Sequence, residues 1–334
     1  MHNIDHLKTS VDSAQIILVM QAENPDGDSL GSALALEAIF NEMGKKVHLY
    51  CPVEIPKYLR YALGWDRVTD DFPKNFDLTI IVDTASATLL ERAIIPENTA
   101  LITKKPVFVI DHHLTESDLP FEHTMVGDAS AVATGEIIVA IAKELNWPLP
   151  VDACDCLLVS ILADSLGLVS EGTTAKSVYT VAELVERGAK LSTVDNRRRE
   201  FMKKSPKILA YKGRLLERIE YHVDGALALV HIPWDEIAEY SDQYNPSVLV
   251  LDEMRLVEGV RIAIALKTYP DGKITGKLRA NANAKIAETV AKFFGGGGHS
   301  YAAGFRIYNN NLDEIKHELI GAVDKALKDY DAQK

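Results

Sequence analysis

The apolar run Ile16-Ile17-Leu18-Val19-Met20 gives way to Asn24-Pro25-Asp26-Gly27-Asp28-Ser29-Leu30-Gly31-Ser32, and this junction constrains the chain more than any other stretch. The run reads as a buried strand. Ala33 to Met43 carries apolar residues at helical spacing and is stopped by Gly44. Two carboxylates, Asp26 and Asp28, thus stand where a strand ends and a helix begins. In an open α/β sheet that is the crevice where ligands bind. Pro25 and Gly27 shape the turn, and Gly31 lets the helix pack closely against a neighbour. Taken alone, an Asp-Gly-Asp turn is also an ordinary solvated loop.

The pattern recurs along the first half. Lys46 to Tyr50 reads as a second strand, Leu78 to Val82 as a third ending at Asp83, and Val107 to Ile110 as a fourth ending at Asp111-His112-His113. Ser130 to Leu145 and Val151 to Leu162 look helical, the second ending near Asp164. Strands alternating with helices predict a parallel sheet, whose site lies at the strands' C-terminal ends. Asp83 and Asp164 could each be a helix cap, and His112-His113 a polar loop; capping alone does not account for all these placements together.

The chain's 334 residues predict two domains, and 47% hydrophobic with 25% charged residues is the composition of a soluble globular protein. No apolar run is long enough to span a membrane, and Met1-His2-Asn3-Ile4-Asp5 lacks the basic and apolar blocks of a signal peptide. Cys51, Cys154 and Cys156 form no disulfide framework, and the Cys154-x-Cys156 pair fits core packing, so a cytoplasmic location is expected. A net charge of −12 argues against nonspecific coating of nucleic acid, though not against a short phosphorylated substrate held locally.

Between Asp195 and Arg214 basic residues crowd the chain: Arg197, Arg198, Arg199, Lys203, Lys204, Lys207 and Lys212. This reads as a helical linker whose charges form either a solvated face or a basic wall over a phosphate cleft. Beyond it Ala226 to Ile232, Val260 to Lys267 and Lys273 to Leu278 look like strands, the last two joined by a turn at Tyr269-Pro270-Asp271-Gly272. Ala284 to Phe294 is helical, followed by Gly295-Gly296-Gly297-Gly298-His299-Ser300-Tyr301-Ala302-Ala303-Gly304. Glycines ahead of a helix start would expose N–H groups to a phosphate; the same run could be a flexible linker, but His299 and the small residues after it favour a packed anion site. Leu312 to Leu327 closes the chain as an amphipathic helix.

Collected together, Asp26, Asp28, Asp83, Asp111, His112, His113 and Asp164 mix hard carboxylates with imidazole, a donor set suited to Mn²⁺ or a related divalent ion. Carboxylates sharing one cleft repel unless cations neutralise them. Two ions sharing a bridging carboxylate can hold a hydroxide and clamp phosphate oxygens, which points to metal-dependent phosphoester or phosphoanhydride hydrolysis.

These residues, in this order, resemble the motifs of the DHH phosphoesterase family: Asn24 to Asp28, the strand ending at Asp83, Asp111-His112-His113, and Asp164. Gly295 to Phe305, with Lys277-Leu278-Arg279 upstream, resembles the signature of the DHH-associated C-terminal domain. Length and order are similar to the oligoribonuclease/pAp-phosphatase (nanoRNase) branch. The resemblance implies an α/β chain of two domains: a parallel-sheet DHH domain over residues 1–190, a helical basic linker over 191–218, and a smaller mixed-sheet substrate-binding domain over 219–334. It implies that Asp28, Asp83, His112 and Asp164 hold one metal, with Asp83 bridging to a second that Asp26 also holds. It gives His113 the scissile phosphate and Asp111 the orientation of the histidines. Arg279, Gly296, Gly297, Gly298 and His299 would grip the substrate in a cleft between the domains. Two Mn²⁺ ions are implied, with Mg²⁺ or Co²⁺ as substitutes. The partners implied are short RNA, cleaved exonucleolytically, or a small nucleotide such as pAp or a linear dinucleotide. No membrane is implied, and a homodimer is compatible.

One departure stands out. The family usually has a histidine ligand four residues before its first aspartate, and here that position is Ala22. Gln21 and Glu23, its neighbours on a strand end, point to the opposite face. One metal site is therefore weakened, which keeps open a catalytically impaired nucleotide- or RNA-binding protein as the alternative. A pyrophosphatase sharing the motifs is a third reading, disfavoured by the glycine-rich grip.

Overall fold

The computed structural model describes residues 2–113, 116–241, 243–308 and 311–333. The chain divides into two compact units, Met1–Lys203 and Lys204–Lys334.

The first unit is built on β1 (Ile16–Met20), β2 (Lys46–Tyr50), β3 (Leu78–Val82), β4 (Val107–Asp111) and β5 (Thr124–Gly127). All pair in parallel, in the order β2-β1-β3-β4-β5. The apolar runs are continuous because both faces are covered. Ile17, Val19, Ile80, Val82 and Ile110 face a core shared with α1 (Ile4–Ser13), α2 (Gly27–Glu42), α4 (Thr134–Leu145) and α5 (Val151–Asp164). The alternate residues Leu18, Met20, Ile81 and Val109 face a smaller core that includes Ile102 of α3 (Pro96–Ile102). Helices α6 (Ala175–Glu186) and α7 (Leu191–Phe201) complete the unit. This strand order reverses direction between β1 and β3, so the crevice beyond their C-terminal ends is the expected ligand site.

Helix α2 is buried on nearly every face. It lies so close to α5 that a Cβ added at Gly31 would fall 2.6 Å from the Cys156 carbonyl and 2.7 Å from the Ser160 nitrogen. Only glycine fits there, which accounts for the close helix packing anticipated at this position.

The second unit holds α8 (Pro206–Glu217), β6 (Glu220–His222), β7 (Leu227–Ile232), α9 (Trp234–Tyr240), α10 (Pro246–Arg255), β8 (Ile262–Thr268), β9 (Lys273–Ala280), α11 (Ala287–Phe293), β10 (Gly297–His299), β11 (Ala302–Tyr308) and α12 (Leu312–Ala332). Its sheet runs β10-β11-β9-β8-β7-β6 and is mixed: β7 and β8 are parallel and the other pairs antiparallel. One face packs on α11 and α12, the other on α8, α9 and α10.

Two local expectations are corrected. Helix α2 begins at Gly27, not Ala33, because Asp26 caps it through a capping box with Ser29. The glycine run leads into the hairpin β10–β11 rather than a helix, since Ala302 to Tyr308 pairs residue for residue with β9. The basic stretch is made of two helices: α7 ends at Phe201, and α8 starts afresh at Ser205-Pro206, a serine cap followed by a proline that fits only a helix's first turn. Strand β5 and helix α6 were not anticipated. No helix among the described residues is long and apolar enough to cross a membrane.

Candidate metal centre and glycine-rich pocket

The register of the first sheet sets Met20 beside Ile81 and Val82 beside Ile110, so β1, β3 and β4 end side by side. The residues that follow converge. Asp83 leaves β3 with a left-handed backbone (φ 64°) that Asp tolerates better than most side chains, and its N–H bonds to Ile110 O at 2.9 Å. Asp28 sits in the first turn of α2, and Asp164 ends α5.

Ligand atoms of Asp28, His112 and Asp164 lie within 4.8 Å of one another, as do those of Asp83, His112 and His113. His112 is common to both groups. Its Nε2 stands 3.3 Å from Asp164 Oδ2, 3.6 Å from Asp83 Oδ1 and 3.7 Å from Asp28 Oδ2. That nitrogen is buried and makes no hydrogen bond among the described residues. The other ring nitrogen, Nδ1, faces Ala131 O at 3.3 Å, and donating there directs the Nε2 lone pair at the three carboxylates. A ligand histidine is oriented in this way. Two candidate metal-binding clusters that mix carboxylate with imidazole are therefore present, and the donor chemistry fits a hard or borderline cation.

The electrostatics agree. Burial, then Asp28, Asp26, Asp164 and Asp111, push the Asp83 carboxyl well above the usual carboxylate range. Asp164 is raised as well, by burial and then by Asp28 and Asp26 against the opposing pull of His112. Burial works against a charged His112, but Asp164 and Asp28 outweigh it and lift the imidazole to about 9. Without a metal the cluster thus draws in protons; a divalent ion meets the same need.

Asp111 is almost fully buried, and its Oδ1 receives both the Nδ1 (2.6 Å) and the backbone N–H (3.1 Å) of His113. Asp111 raises the His113 ring, and His113 in turn lowers Asp111 against the effect of burial. Asp26 is exposed and belongs to neither cluster. Its Oδ1 accepts the N–H groups of Asp28 and Ser29, each at 3.0 Å.

Sequence reasoning missed the residues that hold Asp28, which is fully buried. Its Oδ1 accepts Ser160 Oγ at 2.5 Å and Ser32 Oγ at 3.0 Å, and its Oδ2 accepts the Thr134 N–H at 2.6 Å. Thr134 Oγ1 also reaches Asp83 Oδ1 at 3.2 Å. A signal existed: Ser32 is four residues after Asp28, and Ser160 four before Asp164, spacings that share a helix face. Ala22 is buried and offers no donor atom; Glu23 is turned to Arg92, and both amide atoms of buried Gln21 lack hydrogen bonds among the described residues.

In the second unit the glycine run lines a cavity of about 730 Å³ with Lys267, Lys277, Arg279 and Arg306. Gly298 has φ 136°, and an added Cβ would meet Ala302 O at 2.6 Å, so the loop closes only with glycine there. His299 is exposed on β10 and does not line the cavity. The crowded basic residues are mostly paired: Arg197 with Asp155, Arg198 and Arg199 with Asp195, Lys207 with Glu239, Lys212 with Glu253. These pairs offset most of the positive charge that crowds the stretch.

Residues 16–161 match the DHH family, N-terminal domain, and residues 239–325 match the DHHA1 domain. Among curated proteins, the chain is 27% identical over 306 residues to a "Bifunctional oligoribonuclease and PAP phosphatase NrnA" of Thermus thermophilus, covering 91% of this chain and 88% of that one. It is 23% identical over 307 residues to the Bacillus subtilis protein of the same name, covering 91% and 93%. The crystal structure of an exopolyphosphatase-related protein from Bacteroides fragilis superposes with a TM-score of 0.83 at 20% identity, covering 98% of this chain and 96% of that one, and so shares the fold.

Proposed function

Because this chain belongs to the DHH family of phosphoesterases and carries a DHHA1 domain, we propose that it hydrolyses short oligoribonucleotides or small nucleotides such as pAp or linear dinucleotides, with Mn²⁺ as its metal. The activities named for the Thermus and Bacillus relatives support this substrate class. The observation that carries the reading is His112 Nε2, buried, without a hydrogen bond among the described residues and facing three carboxylates.

A bound divalent ion supplies positive charge to the phosphoryl oxygens and a water of lowered pKa. Asp28, Asp83, His112 and Asp164 hold one such ion in this proposal, and Asp83 with Asp26 the other. The Ala131 carbonyl fixes the His112 tautomer, while Ser160, Ser32 and the Thr134 N–H fix the Asp28 carboxylate. Asp111 orients His113 and favours its charged form, leaving the far ring nitrogen to donate to a phosphate oxygen. Arg279, Gly296, Gly297, Gly298 and His299 grip the substrate and contribute to affinity rather than to bond cleavage.

The test is a Mn²⁺-supplemented assay on 5′-labelled di- to pentaribonucleotides and on pAp. Stepwise loss of mononucleotides, or release of phosphate from pAp, is expected. One observation favours the binding-protein alternative: Ala22 brings no ligand atom to the metal site. Absence of hydrolysis at any Mn²⁺ concentration, in protein whose melting temperature shows metal bound, would establish that alternative.

A further inference from the structure

One short stretch, residues 131–134 at the entry to α4, sets three of the candidate ligands. Ala131 O faces His112 Nδ1 at 3.3 Å, the Thr134 N–H reaches Asp28 Oδ2 at 2.6 Å, and Thr134 Oγ1 reaches Asp83 Oδ1 at 3.2 Å. The stretch is itself held from both ends. The Asp128 carbonyl accepts the Ala131 N–H at 3.0 Å, and Asp128 Oδ1 accepts the N–H (3.0 Å) and the hydroxyl (2.5 Å) of Ser130. Glu136, almost fully buried in the first turn of α4, accepts the Val132 N–H at 3.2 Å and Ser177 Oγ at 2.9 Å, both on Oε2. Lys176, in the first turn of α6, ties the two carboxylates together: its Nζ lies 2.9 Å from Asp128 Oδ2 and 3.6 Å from Glu136 Oε1. Glu136 Oε1 is buried and has no hydrogen bond among the described residues, so the Lys176 ammonium is the charge it faces. Ser130 and then Lys176 hold the Asp128 carboxyl down at about 2, and Asp128 raises Lys176 against the effect of burial.

We propose that Lys176, with Asp128 and Glu136, is a positioning element of the metal centre: it fixes residues 131–134 so that His112, Asp28 and Asp83 keep the arrangement a divalent ion needs. Resting on the metal centre of the function proposed above, this role falls to residues that touch neither metal nor substrate there. A backbone carbonyl or N–H orients a ligand only as well as its own segment is held. Residues 128–133 belong to no helix or strand, so side chains must supply that order. Removing Lys176 leaves the buried Glu136 carboxylate without its cation, which is costly and loosens the stretch it holds. Packing alone does not call for Lys176. Its side chain is half exposed, and a second ion pair, Lys143 with Glu183 at 2.6 Å, joins α4 to α6 farther along the same two helices.

The experiment compares Lys176→Gln with Lys143→Gln in the full chain. Mn²⁺ affinity is read by calorimetric titration of metal-free protein, and the order of the stretch by hydrogen exchange of peptides spanning residues 128–136. Lys176→Gln should weaken Mn²⁺ about tenfold, the lower end for partners beyond a ligand because it acts one layer further out. It should also speed exchange at residues 131–134 about tenfold in the metal-free protein. Lys176→Arg, which keeps a positive charge between the carboxylates, should restore both. Lys143→Gln breaks the other pair between α4 and α6 and should change neither, which separates positioning from helix packing. Asp128→Asn keeps an oxygen for Ser130 and loses the charge facing Lys176, so it should reproduce the Lys176→Gln losses; it serves as the test if Lys176→Gln melts below the assay temperature. Mn²⁺ affinity in the folded variant equal to wild type, or an equal loss in Lys143→Gln, would overturn the inference. Wild-type protein that binds no divalent ion would overturn the metal centre and this inference with it. The expected Mn²⁺ losses in a protein that hydrolyses no nucleotide would support the inference and overturn only the proposed reaction.

Discussion

Asp83→Asn separates a metal ligand from a structural carboxylate. The substitution keeps the size of the side chain and an oxygen for Thr134 Oγ1, and removes the charge shared by the two proposed sites. In the wild type, an ion present at about 100 times its dissociation constant stabilises the fold by about 2.7 kcal/mol. For a unit the size of Met1–Lys203, each kcal/mol shifts the melting temperature by about 2–4 °C, so Mn²⁺ should raise it by about 5–11 °C. If the substitution weakens the ion about 100-fold, the same Mn²⁺ concentration gives about 0.4 kcal/mol, a shift of roughly 1–2 °C. The metal-free protein should move the other way. Burial and the surrounding carboxylates disfavour the Asp83 charge, so the neutral variant should melt higher than metal-free wild type. Differential scanning calorimetry with and without Mn²⁺ reads both effects. A folded Asp83→Asn protein with the full wild-type Mn²⁺ shift would refute the assignment.

Two further outcomes are expected. Ala22→His should lower the Mn²⁺ concentration needed for half-maximal hydrolysis, because a strand-end imidazole adds a ligand to the weaker site; wild type saturating at low Mn²⁺ with no gain in the variant would show that another residue already fills that role. Phosphomonoester binding to the second unit should strengthen above about pH 6, where the ester becomes dianionic, and weaken as pH rises through about 8, where Lys267 loses its proton. Lys277, Arg279 and Arg306 face the same cavity; burial lowers Lys277 and Arg279 as well, with Asp252 opposing the shift in each. A flat affinity from pH 7 to about 9.5, measured by calorimetry, would remove Lys267 from the site.

What could be read in the sequence was what local periodicity controls. The runs at Ile16, Leu78 and Val107 are strands because both sheet faces are covered, and continuous apolar residues signal that directly. The acids and histidines at their ends could be placed for the same reason. Strand β5 was not legible: Thr124-Met125-Val126-Gly127 is short and half-polar, and pairing with β4 holds it. The hairpin after the glycines was hidden likewise, since its partner β9 lies over twenty residues upstream. The basic stretch looked unneutralised because most of its acids come from elsewhere, Asp155 on α5 and Glu239 and Glu253 beyond β7. Sequence neighbours report charge density, whereas packing decides which charges remain free.

Asp26 shows how one residue serves both levels. Its Oδ1 caps α2, and a cap of this kind contributes about 1 kcal/mol to a helix. A carboxylate has a second oxygen and several lone pairs, and Asp26 Oδ2 carries no hydrogen bond among the described residues. The cap therefore fixes the carboxylate's orientation without using its whole coordinating capacity. Its charge is already felt by Asp83 and Asp164, both of which it helps raise. Capping and ligation are thus compatible in the same side chain: the helix N-terminus tolerates the negative charge, and the cap holds that charge beside the cluster. With Ala22 contributing nothing, the proposed second ion depends on this one exposed carboxylate and the shared Asp83, which is why that site is expected to be the weaker of the two.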